Sequence, residues 1–294
     1  MESTRNPGQL VIIGGAEDKE GDCKVLREFV RCAGGTKAKI AVLTAATSDP
    51  HNAGEDYVRV FERLGVEDVR VLNTIHREDA DDPEALKIIE EATGAFFTGG
   101  DQAYIIEHVK GTKLDTLLHQ RNRSGMVIGG TSAGAAIMPD LMIVEGDSET
   151  NPRMDAVEMG PGMGFLHSVV IDQHFAQRGR LGRLISALLQ QPANLGFGID
   201  EDTAVIVDGD ELRVVGRGAI TVVDETEATY NNLEELLKDE AMAVCGVKLH
   251  ILPQGFRFNL KTRKPVSLDI SKKESETPVL QETKTHSIRS ASRV

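Results

Sequence analysis

The run Gly129-Gly130-Thr131-Ser132-Ala133-Gly134 carries the strongest chemical signal in the chain. It follows the apolar run Met126 to Ile128 and precedes small residues that open a helix, the setting of a nucleophile elbow. A serine on such a strand-to-helix turn is held in strained backbone, and the glycines at 130 and 134 let the turn close. The Ser132 hydroxyl would then project into a cleft. The helix start behind it has free N–H groups and a positive dipole end, so the Ala133 amide can stabilise an oxyanion formed on an attacked carbonyl. A bare Gly-x-Ser-x-Gly match in a chain of 29 glycines also describes an ordinary turn, and the strand and helix around it are what raise its standing. A second oxyanion donor should come from another strand end. Phe97-Thr98-Gly99-Gly100-Asp101-Gln102 is a strand running into two glycines and a helix start, and it points to the Gly100 N–H.

A serine nucleophile needs a base. Of the eight histidines, His174 in Val169-Val170-Ile171-Asp172-Gln173-His174-Phe175 is best placed, directly after a β-branched strand, with His167 as a weaker rival just before it. The acid that orients the imidazole should lie on a further strand end. Gly198-Ile199-Asp200-Glu201-Asp202-Thr203 offers three carboxylates, and pattern alone does not choose among them. The order serine, histidine, acid differs from the serine, acid, histidine order of α/β-hydrolases.

Together, Gly-Gly-Asp-Gln, Gly-Thr-Ser-Ala-Gly and Asp-Gln-His-Phe resemble the segments of the cyanophycinase and aspartyl dipeptidase family of serine peptidases, in order and spacing from about residue 8 to residue 265. The resemblance implies that Ser132 is the nucleophile, His174 the base and Glu201 the orienting acid. The arginine-rich continuation Arg178-Gly179-Arg180-Leu181-Gly182-Arg183 is similar to the cyanophycinase branch. It implies a serine-type exopeptidase that hydrolyses cyanophycin, multi-L-arginyl-poly-L-aspartate, at β-aspartyl linkages and releases β-Asp-Arg dipeptides through an acyl-enzyme. It also implies a homodimer. No metal or organic cofactor is expected, because serine, histidine and acid suffice for such a reaction. An aspartyl dipeptidase is the rival enzyme, and a catalytically silent binding module is the rival from another class.

Free carboxylates on such a substrate call for guanidinium forks. Arg180 and Arg183 lie three apart on one helical face, with Arg178 at its start, and Leu181, Leu184, Ile185 and Leu188 on the core side. Gln102, Asp172 and Gln173 are the other polar groups expected to line the pocket. Nothing in the sequence selects a partner for the arginine side chain of the substrate from 46 acidic residues.

These residues need a scaffold of strand ends. Leu10 to Ile13, Ile40 to Leu43, Val69 to Leu72, Ala95 to Phe97 and Met126 to Ile128 read as buried parallel strands. Helical patterns lie between them at Cys23 to Cys32, Tyr57 to Leu64, Glu84 to Ala92 and Gln102 to Val109, with another at Leu181 to Gln190. Beyond it, Ala204 to Val207, Leu212 to Val215, Ile220 to Val223, Val247 to Leu252 and Phe256 to Leu260 read as antiparallel hairpins, with Asp208-Gly209 as a turn. The expected class is α/β: a doubly wound, mostly parallel sheet with helices on both faces and antiparallel hairpins toward the C-terminus. Residues 1–270 should form a single domain, and 271–294, rich in Lys, Glu, Ser and Thr, a flexible polar tail.

At 294 residues, 40% hydrophobic and 27% charged, the chain is long enough and apolar enough for a full core. Its net charge of -13 argues against nucleic acid or anionic membranes as partners. Three cysteines without metal-ligand spacing suggest a reducing compartment, and the polar start Met1 to Gln9 lacks a signal segment, so a cytoplasmic location is expected.

Overall fold

In the computed structural model, residues 7–190, 195–237 and 239–266 are described. Strand and helix alternate from the start: β1 (Leu10–Ile13), α1 (Lys24–Cys32), β2 (Lys39–Leu43), α2 (Pro50–Arg63), β3 (Asp68–Leu72), α3 (Pro83–Glu91), β4 (Gly94–Phe97), α4 (Gln102–Val109), α5 (Lys113–Arg123) and β5 (Val127–Thr131). The five strands pair in parallel in the order β1-β5-β4-β2-β3. Their side chains alternate across the sheet. Val11, Ile13 and Val42 meet Phe29 of α1 and Phe61 of α2 on one face, whereas Ile12, Leu43 and Phe97 meet Ile89 of α3, Ile105 of α4 and Leu118 of α5 on the other.

Helix α2 begins seven residues before the start expected at Tyr57. Asp49 accepts from the Asn52 N–H and Pro50 occupies the first turn, so a cap and a pre-set φ start the helix ahead of its apolar stripe. The sequence pattern did not flag α5. Thr112 caps it, and it buries only Leu114, Leu118 and Asn122.

After α6 (Ala133–Ala136), β6 (Leu141–Gly146) and β7 (Val157–Pro161) form a hairpin that the sequence had left without an assignment. Then come β8 (Val169–Gln173), α7 (Leu181–Gln190), β9 (Leu195–Ile199), β10 (Thr203–Asp208), β11 (Glu211–Gly216) and β12 (Ala219–Asp224). The last strands are the short pair β13 (Tyr230–Asn231) and β14 (Val244–Cys245), then β15 (Lys248–Pro253), β16 (Arg257–Asn259) and β17 (Lys264–Pro265). Strand β10 joins β1 antiparallel, and β11, β16 and β17 continue outward to give nine strands. The turn at Asp208-Gly209 closes the β10–β11 hairpin, with Gly209 at φ 57°.

The remaining strands do not extend that edge. Four of them form a second sheet of order β15-β12-β9-β8, in which β8 and β9 are parallel, while β6-β7 and β13-β14 stay as separate pairs. Val169, Ile171, Phe197, Ile220 and Val222 on one of its faces join the same core as Ile12 and Leu43. Val170 and Val223 on the other face pack against Leu184, Ala187 and Leu188 of α7. Leu181, expected in the core, is exposed, while Arg183 of the same helix is buried. No described helix is long and apolar enough to cross a membrane. The tail expected at 271–294 lies outside the described residues.

Candidate active site

Four strand ends converge. Ser132 follows β5, His174 follows β8, Glu201 follows β9, and the turn Gly14-Gly15 follows β1. Main-chain hydrogen bonds lock them together: the Ser132 N–H donates to Ile13 O (3.0 Å), the His174 N–H to Gly14 O (2.8 Å) and the Asp202 N–H to Gly15 O (2.9 Å). The end of β1 is therefore the hub that registers the two sheets against each other.

Ser132 has φ 51° and ψ -108°, a strained backbone for a residue with a Cβ, of a kind that costs about 1–3 kcal/mol. Its Oγ lies 3.0 Å from His174 Nε2, and His174 Nδ1 lies 2.7 Å from Glu201 Oε1. An ionised carboxylate only accepts, so Glu201 holds the imidazole proton on Nδ1 and leaves Nε2 as an acceptor facing the serine hydroxyl. Burial pushes the His174 imidazole below the ordinary histidine value; the hydrogen bond to Glu201 opposes that shift, and the positive charge of Arg178 adds to it. A neutral imidazole at neutral pH is the form that can take a proton.

The three acids that pattern alone could not rank have separate partners. Asp200 accepts from the N–H groups of Ala176 (3.1 Å) and Ala219 (3.0 Å), and Asp202 accepts from the Asp18 N–H (2.9 Å). Glu201 alone of the three meets the imidazole. His167 is exposed and pairs with Asp140 at 2.9 Å, away from Ser132.

Around Ser132, the N–H groups of Gly99, Gly100 and Ala133 have no acceptor among the described residues. Gly100 sits at φ 143°, and a Cβ there would come within 2.0 Å of Ala46 O, so only glycine fits. Gly99 lies closer to the serine, where an added Cβ would be 3.4 Å from Ser132 Cβ.

The polar residues expected to face substrate divide differently. Asp172 is wholly buried and forms a bidentate ion pair with Arg183, Nε to Oδ2 at 2.7 Å and Nη2 to Oδ1 at 2.5 Å; Arg183 Nη1 donates to Gly146 O (3.0 Å). In this structure both groups bond to each other and to the β6 backbone, with Arg180 Nη1 also 3.4 Å from Asp172 Oδ1. Arg180 is also buried. It donates to Gln173 O (2.6 Å) and Gln173 Oε1 (3.2 Å), and desolvation brings its guanidinium down to about 10. The Gln102 amide donates to Ile143 O (3.2 Å) and Val144 O, tying α4 to β6. Arg178 is different: it is exposed, and its side chain has no partner among the described residues.

One contributor escaped the sequence reading. Gly15, at φ 98°, lies directly against the His174 ring, where an added Cβ would be 2.4 Å from both Cε1 and Nε2. Its signal was present in Leu10-Val11-Ile12-Ile13-Gly14-Gly15-Ala16-Glu17, a strand running into two glycines like the one that ends at Gly100.

The model of peptidase family S51 matches residues 10–215, from β1 to β11, and spans every residue of this constellation. The chain belongs to peptidase family S51. It is accordingly a serine-type peptidase. A cyanophycinase from Geminocystis herdmanii is 40% identical over 260 residues, covering 88% of this chain and 96% of that protein. One from Trichormus variabilis is 40% identical over 256 residues, covering 86% of each. Among solved structures, a peptidase from an acI-B1 Actinobacterium superposes with a TM-score of 0.63 at 22% identity, over 86% of this chain and 97% of that one, a likeness of fold. The S51 peptidase described here thus shares its family with enzymes named for the cyanophycin reaction.

Proposed function

We propose that the protein is a cyanophycinase, a serine-type exopeptidase that releases β-Asp-Arg units from cyanophycin, with Ser132, His174 and Glu201 as nucleophile, base and orienting acid. The observation that carries this reading is the continuous hydrogen-bond chain Ser132 Oγ to His174 Nε2 and His174 Nδ1 to Glu201, held at strand ends. Two relatives named cyanophycinase at 40% identity support the choice of substrate.

In the first step, Ser132 Oγ bonds to the carbonyl carbon of the scissile aspartyl amide while His174 Nε2 takes the hydroxyl proton. Negative charge gathers on the carbonyl oxygen, facing the Ala133 N–H and those of the Gly99-Gly100 turn. His174 then gives its proton to the leaving amine, the C–N bond breaks, and an ester to Ser132 remains. Water enters, His174 takes its proton as the water oxygen bonds to the acyl carbon, and the ester C–O bond breaks as His174 returns the proton to Ser132 Oγ. The amide joining arginine to the β-carboxyl survives in the product, so the bond cut is the one linking successive units. Arg178, exposed and close enough to His174 to lower its basicity, is suited to a free carboxylate at the chain end.

The test is incubation of the wild type and Ser132→Ala with cyanophycin and, separately, with α-Asp-Arg, following dipeptide by mass spectrometry. Release of β-Asp-Arg by the wild type alone is expected. Cleavage of α-Asp-Arg only would make the protein a dipeptidase, and cleavage of neither would leave a silent binding module.

A further inference from the structure

The base and the orienting acid stand on neighbouring turns that the sheet by itself does not hold together. Strands β8 and β9 pair in parallel as far as Gln173 and Ile199. His174 then sits at φ 49°, so the chain leaves the extended conformation and the regular ladder ends. One last main-chain bond follows, from the Phe175 N–H to Ile199 O (3.2 Å). Beyond it two side chains take over reciprocally. Asp200 Oδ1 accepts the Ala176 N–H (3.1 Å), and Gln177 Oε1 accepts the Glu201 N–H (3.0 Å).

The second of these bonds bears on the chemistry. The Glu201 side chain is 35% exposed, and His174 Nδ1 is its carboxylate's one hydrogen-bond partner among the described residues. Packing therefore does little to aim it. Its direction is inherited from the backbone that carries it, whose carbonyl is held by the Thr203 hydroxyl (3.1 Å) and whose N–H is held by Gln177. Gln177 is itself exposed, in the short turn Ala176–Arg178, and lies 24 residues before its partner. A surface N–H can bond to water instead, so stability gives little reason for a glutamine there; a fixed spacing between the two turns does.

We propose that Gln177 is a positioning residue of the triad, holding the Glu201 backbone so that the carboxylate meets His174 Nδ1. The assignment rests on the functional reading above for the roles of His174 and Glu201. With the bond in place the carboxylate stays at 2.7 Å, keeps the imidazole proton on Nδ1 and adds to the basicity of the ring, against burial and the positive charges of Arg178 and Arg180. Without it, the turn stays anchored through Asp200 and Asp202, and only the aim of Glu201 is loosened. The signature is a weaker base in an intact fold.

The experiment compares the wild type, Gln177→Ala, Gln177→Glu, Glu201→Ala and the double variant Gln177→Ala/Glu201→Ala by two readouts. One is the titration of the His174 imidazole followed by NMR, which needs no substrate; the other is kcat and KM for dipeptide release from cyanophycin. Gln177→Ala is expected to move the His174 midpoint to acid by about 0.4–1 unit and to lower kcat by about 2- to 10-fold, the range of one hydrogen bond, with KM unchanged. Gln177→Glu, which keeps an acceptor oxygen, should recover most of kcat. In the Glu201→Ala background the loss of Gln177 should change neither readout further. An unmoved His174 midpoint, a raised KM with kcat intact, or an equal loss in the Glu201→Ala background would overturn the assignment. The functional reading fails by different results, no dipeptide release by the wild type or a Glu201→Ala enzyme as fast as the wild type, and the imidazole titration still decides the role of Gln177 in those cases.

Discussion

Replacing Gly15 by alanine should disable the enzyme without removing any group that reacts. The new Cβ would lie 2.4 Å from His174 Cε1 and Nε2. Carbon contacts relax only near 3.5 Å, so the imidazole must retreat by about 1 Å. The Ser132 Oγ to His174 Nε2 distance would then open from 3.0 Å to about 4 Å, beyond hydrogen-bond range. A misplacement of about 1 Å costs on the order of 100-fold in rate, and complete loss of a general base costs about 10²–10⁴. Alanine at φ 98° adds about 1–3 kcal/mol of backbone strain, which thermal denaturation would register separately. The assay is steady-state release of β-Asp-Arg by the wild type, Gly15→Ala, His174→Ala and the double variant. If Gly15 acts through the imidazole, the double variant is no slower than His174→Ala, because the group being displaced is already gone. A folded Gly15→Ala within about threefold of wild type would refute the reasoning, as would a double variant slowed by the full product of the single effects.

The acid limb of kcat/KM should have its midpoint below about 6.5, since burial lowers His174 and the neutral form is the base. Glu201→Gln removes the contributions that raise it, so the midpoint should move further to acid as the rate falls by about 10²–10⁴; Arg178→Gln should move it the other way. Arg183→Leu strands the Asp172 carboxylate in the interior, with Arg180 left at 3.4 Å, and chemical denaturation should report a loss of about 2–4 kcal/mol. Unchanged stability with a raised KM would instead restore Arg183 to the substrate. Glu225 is pushed up to about 7, by burial first and by Asp224 second, and its Oε2 has no partner among the described residues. A folded value above the ordinary 4.5 means that its contribution is fully present below that pH and lost as pH rises through 7. The shift corresponds to about 3 kcal/mol, and partial exposure reduces it to about 1–2. Glu225→Gln should therefore raise Tm at pH 8.5 and leave it nearly unchanged at pH 4; an equal effect at both would exclude the linkage.

The chain by itself determined the local elements and singled out Ser132 as the candidate nucleophile. Short continuous apolar runs, Asp49-Pro50 and Asp82-Pro83 helix starts and the Gly-x-Ser-x-Gly turn are short-range signals, because backbone sterics and capping act within a few residues. The placement of His174 at a strand end was legible for the same reason. Resemblance, not periodicity, singled out Glu201, since Asp200, Glu201 and Asp202 share one turn and differ only in what each meets across space.

Tertiary structure decided what depends on distant partners. Whether Asp172 and Arg183 face a substrate or each other turns on the approach of α7 to β8, which burial of Leu184 and Leu188 enforces. That β8 and β9 form a second sheet, and not the edge of the first, follows from Val169, Ile171 and Phe197 packing into the core beneath β1. The same packing seats Gly15 against His174 and opens an acidic cleft beside Ser132. Hydrophobic burial is non-directional, so a sequence can announce that these faces are apolar while only the assembled sheets settle which polar groups are carried inward with them.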